Sequence, residues 1–383
     1  MRLTILKHHY IIFLFLTSYL YSATTFNSIV VSDPSTGKIV NVFSGAFSNS
    51  PAAIGFANNQ GYICNFLSPS VSIINPITGA SLGSVSDPNQ QILSPYNIAF
   101  SSDGTQGYVC NYLHNTVTVF STSSNSVTSS IIVGNAPRDI AIQGTTAYVV
   151  NALDATVSVI NTSNNTVTNT ITLPAVTSTL YWISVSNSGI AVISGGNNVY
   201  FINTNTNTLI GYQNYSNLLD ISDILLSGTT AYASCTTQQG YGIAVIDASL
   251  QTITNIITNS AFTSLSFGLA IINNTLFVAN FYGNYSAGAP SCQRFTPSPT
   301  NIFGGGTGTT IVGIDLSSYQ VVGVETGFNS PQMITTYNDN LYICDGSNII
   351  GWTCGTITPP SFSSGRQLNQ FQSGCNASSK SGL

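Results

Sequence analysis

Few side chains in this sequence could do chemistry, and that scarcity is informative. Beyond residue 23 there is one histidine, His114, and one glutamate, Glu325. A multi-histidine metal site, or a histidine-based triad with a choice of partners, needs more than that. Asp139, Asp220 and Asp223 fall in connections between repeated units. Paired carboxylates there could bind calcium or act as acid and base, and the competing reading is that Asp caps tight turns. His114 reads as a loop histidine for want of an identifiable partner. No Gly-x-Ser-x-Gly elbow occurs. The Gly304-Gly305-Gly306 cluster lacks the Lys-Ser/Thr and the helix of a phosphate cradle. No metal and no cofactor is expected.

The seven cysteines fall into two groups. Cys64, Cys110 and Cys344 share one repeat position, filled elsewhere by Val150 and Ile193, and read as buried free thiols. Cys235, Cys292, Cys354 and Cys375 lie at loops or in the tail. In an exported protein they could form two bridges, with Cys235–Cys292 and Cys354–Cys375 preferred among three possible pairings.

The elements that must position these residues form a repeat. Tyr108-Val-Cys-Asn111, then Thr116-Val-Thr-Val-Phe120, recurs as Tyr148-Val-Val-Asn151, then Thr156-Val-Ser-Val-Ile160. Period-2 alternation bounded by Gly, Asn, Asp and Ser predicts strands, four to a unit. The residue ending the second strand falls at Asn65, Asn111, Asn151, Ser194, Cys235, Asn280 and Asp345, with spacings of 46, 40, 43, 41, 45 and 65. Four strands per 40–45 residues is the period of a β-propeller blade, and seven anchors predict seven blades. The fold class expected is therefore an all-β, seven-bladed propeller of four-stranded antiparallel blades. An N-terminal hairpin, Ser28–Ser32 with Lys38–Phe43, would complete the last blade and remove a free edge. Asn348–Trp352 competes with Ser28–Ser32 for the third slot of that blade.

The units resemble the YVTN β-propeller repeat family. The resemblance rests on Gly134-Asn-Ala-Pro137, Tyr148-Val-Val-Asn151 and Val157-Ser-Val-Ile-Asn161. It is close in blades two and three, and in blade one through Tyr62-Ile-Cys-Asn65. It departs at Ala191-Val-Ile-Ser194 and Tyr232-Ala-Ser-Cys235. It covers nearly all of residues 28–354. It implies the fold and an exported bacterial protein, and says little of function, because such propellers have varied roles.

Blade six carries an insertion. About 25 residues, near 281–306, separate its second strand from its third. By analogy with other propellers they lie on the ligand face, where they would place Tyr282, Tyr285 and Arg294. Long loops of this kind are either functional or ornamental. Arg138 and Arg294 are the only arginines expected on that face, joined there by His114, Asp139, Asp220 and Asp223.

Composition sets the compartment and excludes several classes. Arg2 and Lys7 precede the apolar run Ile11–Leu16, which continues to about Tyr21 and ends at Ser22-Ala23. This is the pattern of a secretory signal peptide, and the run is too short to span a bilayer. The expected organisation is a signal peptide at 1–23, a propeller at 24–354 and a tail at 355–383. Export places the chain in the periplasm, at the cell surface or in the medium. Only 5% of the 383 residues are charged, with seven basic against twelve acidic, which excludes a nucleic-acid surface. No later segment is long and apolar enough to cross a membrane. Two functional classes remain. One is a non-enzymatic, monomeric binding module that recognises a protein, peptide or glycan. The alternative is a hydrolase or lyase acting at the central mouth, lactonase-like or streptogramin-lyase-like, which needs a convergent His, Glu or metal constellation.

Overall fold

The structure, a computed structural model, describes residues 28–33, 38–44, 51–66, 68–174, 180–262, 266–280, 310–326, 331–338, 340–345 and 354–357. Every regular element among them is a strand. β1 (Ser28–Asp33) and β2 (Lys38–Ser44) form an antiparallel hairpin. Six four-stranded antiparallel sheets follow in chain order. Blade one is β3 (Pro51–Ala57), β4 (Gln60–Asn65), β5 (Ser70–Ile74) and β6 (Ser81–Ser84). Blade two is β7 (Pro95–Phe100), β8 (Gln106–Asn111), β9 (Thr116–Ser121) and β10 (Ser126–Ile132). Blade three is β11 (Pro137–Gln143), β12 (Thr146–Asn151), β13 (Thr156–Asn161) and β14 (Thr166–Thr172). Blade four is β15 (Ile183–Val185), β16 (Ile190–Gly195), β17 (Asn198–Asn203) and β18 (Thr208–Asn214). Blade five is β19 (Leu218–Ser227), β20 (Thr230–Thr237), β21 (Gly240–Asp247) and β22 (Thr252–Thr258). Blade six is β23 (Ser266–Ile272), β24 (Thr275–Asn280), β25 (Thr310–Asp315) and β26 (Val321–Thr326). A last sheet has three strands, β27 (Pro331–Tyr337), β28 (Asn340–Asp345) and β29 (Cys354–Ile357).

The fold is thus an all-β propeller with six four-stranded blades among the described residues, not the seven expected. The difference lies where the chain ends meet. β29 pairs with β28 through Leu341↔Ile357 to Cys344↔Cys354, so Cys354–Ile357 takes the third slot of the last sheet. Neither of the two segments read as competing for that slot fills it. The hairpin β1–β2 forms its own sheet, packed against β28 and β29, and 348–352 lies outside the described residues. β27 packs against β23 on one side and β3 on the other.

Packing of blade on blade explains the composition. Each four-stranded sheet has two faces to bury, and a neighbour on either side buries them. Tyr108, Cys110, Val117 and Val119 of blade two meet Ile140, Ala147, Val149 and Ile160 of blade three in one cluster. The second and third strands are almost wholly buried, whereas the outermost strand faces water, as β14 does with six of its seven residues exposed. Charge is consequently confined largely to the ends of strands.

Two motif residues do mechanical work. In blades one, two and three the buried tyrosine of the second strand reaches the turn of the next blade. Tyr62 Oη meets Asn125 Oδ1 at 2.9 Å, Tyr108 Oη meets Asn165 Oδ1 at 2.8 Å, and Tyr148 Oη meets Asn207 Oδ1 at 2.6 Å. Tyr342 Oη donates to Pro76 O at 3.3 Å, which ties the last sheet to blade one. The motif asparagine clamps the connection that follows it. Asn111 Nδ2 donates to Thr116 Oγ1 and Thr118 Oγ1, and Asn151 Nδ2 to Thr156 Oγ1 and Ser158 Oγ.

Candidate functional site at the channel mouth

The innermost strand opens with an irregularity in blades one, two, three, five and six. In β11, Pro137 pairs with Asn151 and Asp139 with Val150, so Arg138 is the extra residue of a bulge. The same shift leaves Ala52, Tyr96 and Phe267 as the extra residues of β3, β7 and β23. A bulge bends its strand and re-aims side chains, which is why bulges recur next to binding sites. The residue after the bulge falls at one equivalent position in each blade: Ala53, Asn97, Asp139, Ile183, Asp223 and Gly268, opposite Cys64, Cys110, Val150, Ile193, Ser234 and Ala279. The last five surround a cavity of about 160 Å³ on the propeller axis, together with Trp182.

Two acids meet in that cavity. Asp139 accepts hydrogen bonds from Asn97 Nδ2 of blade two (2.5 Å), from its own neighbour Ile140 N (2.8 Å) and from Ile183 N of blade four (2.7 Å). One carboxyl thereby ties three blades. Its burial pushes the pKa up to about 6, against the pull of those donors and of the Arg138 charge. Burial also raises Asp223 well above the ordinary carboxylate range, and the charge on Asp139 raises it further. Asp223 accepts from Ile224 N at 2.7 Å. Asp220, partly buried at the start of β19, is pushed to about 6 by the same cause.

The sequence places Arg138, Asp139, Asp220 and Asp223 in blade-to-blade connections. The structure places all four inside β11 and β19, with Asp139 and Asp223 buried. The turn-capping reading does not hold for these acids, and the aspartates that do cap turns lie at the opposite end of the propeller. There Asp247 accepts from Ser249 N and Leu250 N, and Asp103 from Ser101 Oγ and Thr105 N. His114 lies exposed in the β8–β9 connection, away from the cavity wall.

Around the mouth of the cavity sits a cluster the sequence reading missed. The Arg138 guanidinium carbon lies 5.6 Å from the Tyr96 ring centre, 4.8 Å from Tyr181 and 5.5 Å from Trp182. Cation–π contacts of this kind contribute about 0.5–2 kcal/mol each. Tyr96 also packs on Tyr112 at 5.3 Å and on Phe66 at 5.7 Å. Tyr96, Arg138 and Trp182 occupy one position in three successive blades, each just before the ring position. Aligning the units on that residue would have brought them together; aligning on Tyr-Val-x-Asn does not. Leu113 and Leu153 stand exposed two residues after the motif asparagines of blades two and three, and Leu219 at the start of β19, at the same end of the propeller.

The other expected residues divide by place. Tyr282, Tyr285, Cys292 and Arg294 fall in 281–309, outside the described residues, as does Cys375; of Cys354 only its strand is described. Asn280 and Thr310, which flank that stretch, pair directly at the same end of the propeller as Arg138. Cys64, Cys110 and Cys235 are buried thiols. Burial raises the first two, and lifts Cys235 to about 12, so none is an activated nucleophile. No group of three His, Cys, Asp or Glu that could hold a metal occurs among the described residues. No helix there is long and apolar enough to cross a membrane. A larger groove of about 600 Å³, lined by Asn273, Tyr337 and Asn338, lies at the seam between blade six and the last sheet and has no charged group in its wall among the described residues.

No protein-family model matches the chain, and no curated protein does. Among solved structures it is similar to Kuenenia stuttgartiensis hydrazine synthase, with a TM-score of 0.61 and 15% identity, over 81% of this chain and 96% of that one. At that identity the likeness shows a β-propeller fold and nothing of chemistry.

Proposed function

We propose that this chain is an exported, monomeric, non-enzymatic binding propeller of the YVTN type, which recognises a protein, peptide or glycan at the channel-mouth face. The observation that carries the reading is the cluster of Phe66, Tyr96, Tyr112, Tyr181 and Trp182 around Arg138 at that face. Aromatic rings gathered around one arginine, with Phe66, Tyr96 and Tyr112 half-buried and Tyr181 and Trp182 buried beneath, have the composition of binding hot spots, for protein and sugar partners alike. The exposed Leu113, Leu153 and Leu219 extend the apolar surface, and the 281–306 insertion leaves the propeller at the same end. The acids of the cavity are tied into the blades and pushed towards their neutral forms, which suits a scaffold better than a reaction centre.

The test is a glycan array and a displayed peptide library probed with the parent chain, with Tyr96→Ser/Tyr112→Ser, and with the opposite-face control Ile77→Ser/Leu250→Ser. Ligands lost only by the first variant are the expected result. Ligands lost equally by both variants, or none for the parent, overturn the reading.

The finer architecture belongs to the same proposal. We take β27–β29 with the hairpin β1–β2 as a seventh blade, supported by the packing of β1 and β2 on β29 and of β27 between β23 and β3. Deleting residues 24–44 is then expected to lower Tm by several degrees, and an unchanged Tm rejects the closure. Export through a signal peptide ending near Ala23 predicts a mature N-terminus there, read by N-terminal sequencing of the secreted chain.

A further inference from the structure

The last sheet departs from the six blades at one facing pair. The position of Cys64 and Cys110, next to last in the second strand, recurs in every blade. The third-strand residue directly opposite it is Val71, Val117, Val157, Tyr200, Ile243 and Ile311 in blades one to six, each of them buried. In the last sheet Cys344 of β28 holds that position, and the residue opposite is Cys354 of β29. Directly opposite residues of an antiparallel pair share one face of the sheet, with Cα atoms about 4.5 or 5.5 Å apart according to the hydrogen bonding between them. A disulfide spans Cα separations of about 4.4–6.8 Å, so either arrangement is within reach. β29 also has little else to hold it. It reads Cys354-Gly-Thr-Ile357, with one large apolar residue where β13 has Val157, Val159 and Ile160. A strand with so little apolar surface to bury gains from a covalent tie.

We infer that Cys344 and Cys354 form a disulfide that staples the third strand onto the last sheet. The bond replaces the Cys354–Cys375 pairing preferred from the sequence and takes Cys344 out of the group of free thiols, where Cys64 and Cys110 remain. It forms by exchange with a disulfide donor, a small-molecule or protein disulfide of the oxidising compartment. The thiolate of one cysteine attacks the donor's S–S bond and releases one donor thiol. The thiolate of the other cysteine then displaces the second. One S–S bond forms as one breaks, and the two cysteine protons and two electrons end on the donor's thiols. The hairpin β1–β2 packs on β28 and β29, so the staple fixes the strand on which the N-terminal hairpin docks. In the cell this inference rests on the export reading above, which supplies the donor.

The test oxidises the full purified chain with a mixture of reduced and oxidised glutathione, which makes it independent of export. Free thiols are then alkylated and the chain is cut with chymotrypsin without reduction. Cleavage after Tyr342, Trp352 and Phe362 separates the two cysteines into peptides 343–352 and 353–362. The expected result is a mass equal to those two peptides joined, which dithiothreitol added before digestion abolishes. In the same oxidised chain Cys344→Ser and Cys354→Ser each lower Tm by about 5 °C, and the double variant lowers it no further. Dithiothreitol lowers the Tm of the parent by about 5 °C more than that of either variant, a difference that a purely packing role for the cysteines does not produce. Peptide 353–362 joined to the Cys375 peptide, alkylation of both Cys344 and Cys354 in the oxidised chain, or equal responses of parent and variants to the reductant overturn the bond. Should either variant fail to fold, the peptide map of the parent decides alone. A joined mass in vitro from a chain whose N-terminus is not processed near Ala23 upholds the bond and sinks the export reading, whereas a processed chain without the joined mass sinks the bond and leaves export standing.

Discussion

At the scale of single residues, the motif tyrosines Tyr62, Tyr108 and Tyr148 act across a seam. Tyr148 Oη reaches both Asn207 Oδ1 and Thr204 O of blade four, and removing the hydroxyl leaves those acceptors without it. Tyr148→Phe is expected to cost about 1–2 kcal/mol in urea unfolding, the usual loss for one buried hydrogen bond. Tyr212→Phe, at a half-exposed ring on an outer strand, should stay within about 0.5 kcal/mol of the parent. Equal losses would show that the seam bond carries nothing. Part of this was legible beforehand. Asn125, Asn165 and Asn207 sit in turns with φ of 49, 56 and 55°, and Asn between alternating runs marks a left-handed turn position from sequence alone. Which tyrosine meets which turn was not legible, because the partners lie 57–63 residues apart and only the ring order joins them. The channel acids failed for a related reason: local spacing reads Asp139 and Asp223 as turn residues, and only a bulge turns them inward.

At the scale of elements, facing positions on the second and third strands share a fixed space. Gly107 faces Phe120 in blade two and Gly61 faces Ile74 in blade one, while Ala147 faces Ile160 in blade three. A methyl group on Gly107 would stand 2.2 Å from the Phe120 ring, a clash the packed seam cannot absorb. Gly107→Ala is therefore expected to destabilise by about 1–3 kcal/mol, as overpacking does. Adding Phe120→Ile recreates the Ala–Ile pairing of blade three and should recover most of that loss, a non-additivity that a double-mutant cycle measures. Independent, additive losses would show that the two positions do not share their space. The pairing also explains why the single blades were legible, while the closure, and with it the number of complete blades, was not. Alternation and motif fix each blade locally, but the last sheet takes its third strand from Cys354–Ile357, a segment with none of the Thr-Val-x-Val-Ile pattern that marks third strands elsewhere.

At the scale of the whole molecule, the buried acids make stability depend on pH in an unusual direction. Asp139 and Asp220 are raised to about 6 from an ordinary value of 3.8, and Asp223 is raised as well, all chiefly by burial. A carboxyl with a raised folded pKa binds its proton more tightly in the native state than in the unfolded chain. Between the two values the native state therefore holds more protons, and stability falls as pH rises through that window. The penalty is absent below about pH 4 and complete above about pH 6 for Asp139 and Asp220. For Asp139 alone the rise from 3.8 to about 6 corresponds to about 3 kcal/mol. Asp103 acts the other way: its carboxylate is held near 2 by Ser101 and Thr105, so its contribution is lost as pH falls below about 4 towards 2. Asp315, lowered by Ser318, acts in the same sense. The two groups together place maximal stability near pH 4–5, below the usual range for soluble domains. A Tm profile from pH 3 to 8 should show that maximum and a decline towards neutrality. Asp139→Asn removes one titrating acid while keeping an acceptor for Ile183 N or for Asn97, so the decline between pH 5 and 7 should flatten in that variant even if its Tm at pH 5 drops. A parent profile that rises from pH 4 to 7, or an Asp139→Asn profile parallel to it, would show that the channel carboxyls are ionised at no cost, with water or counter-charge reaching an axis that the packing closes off.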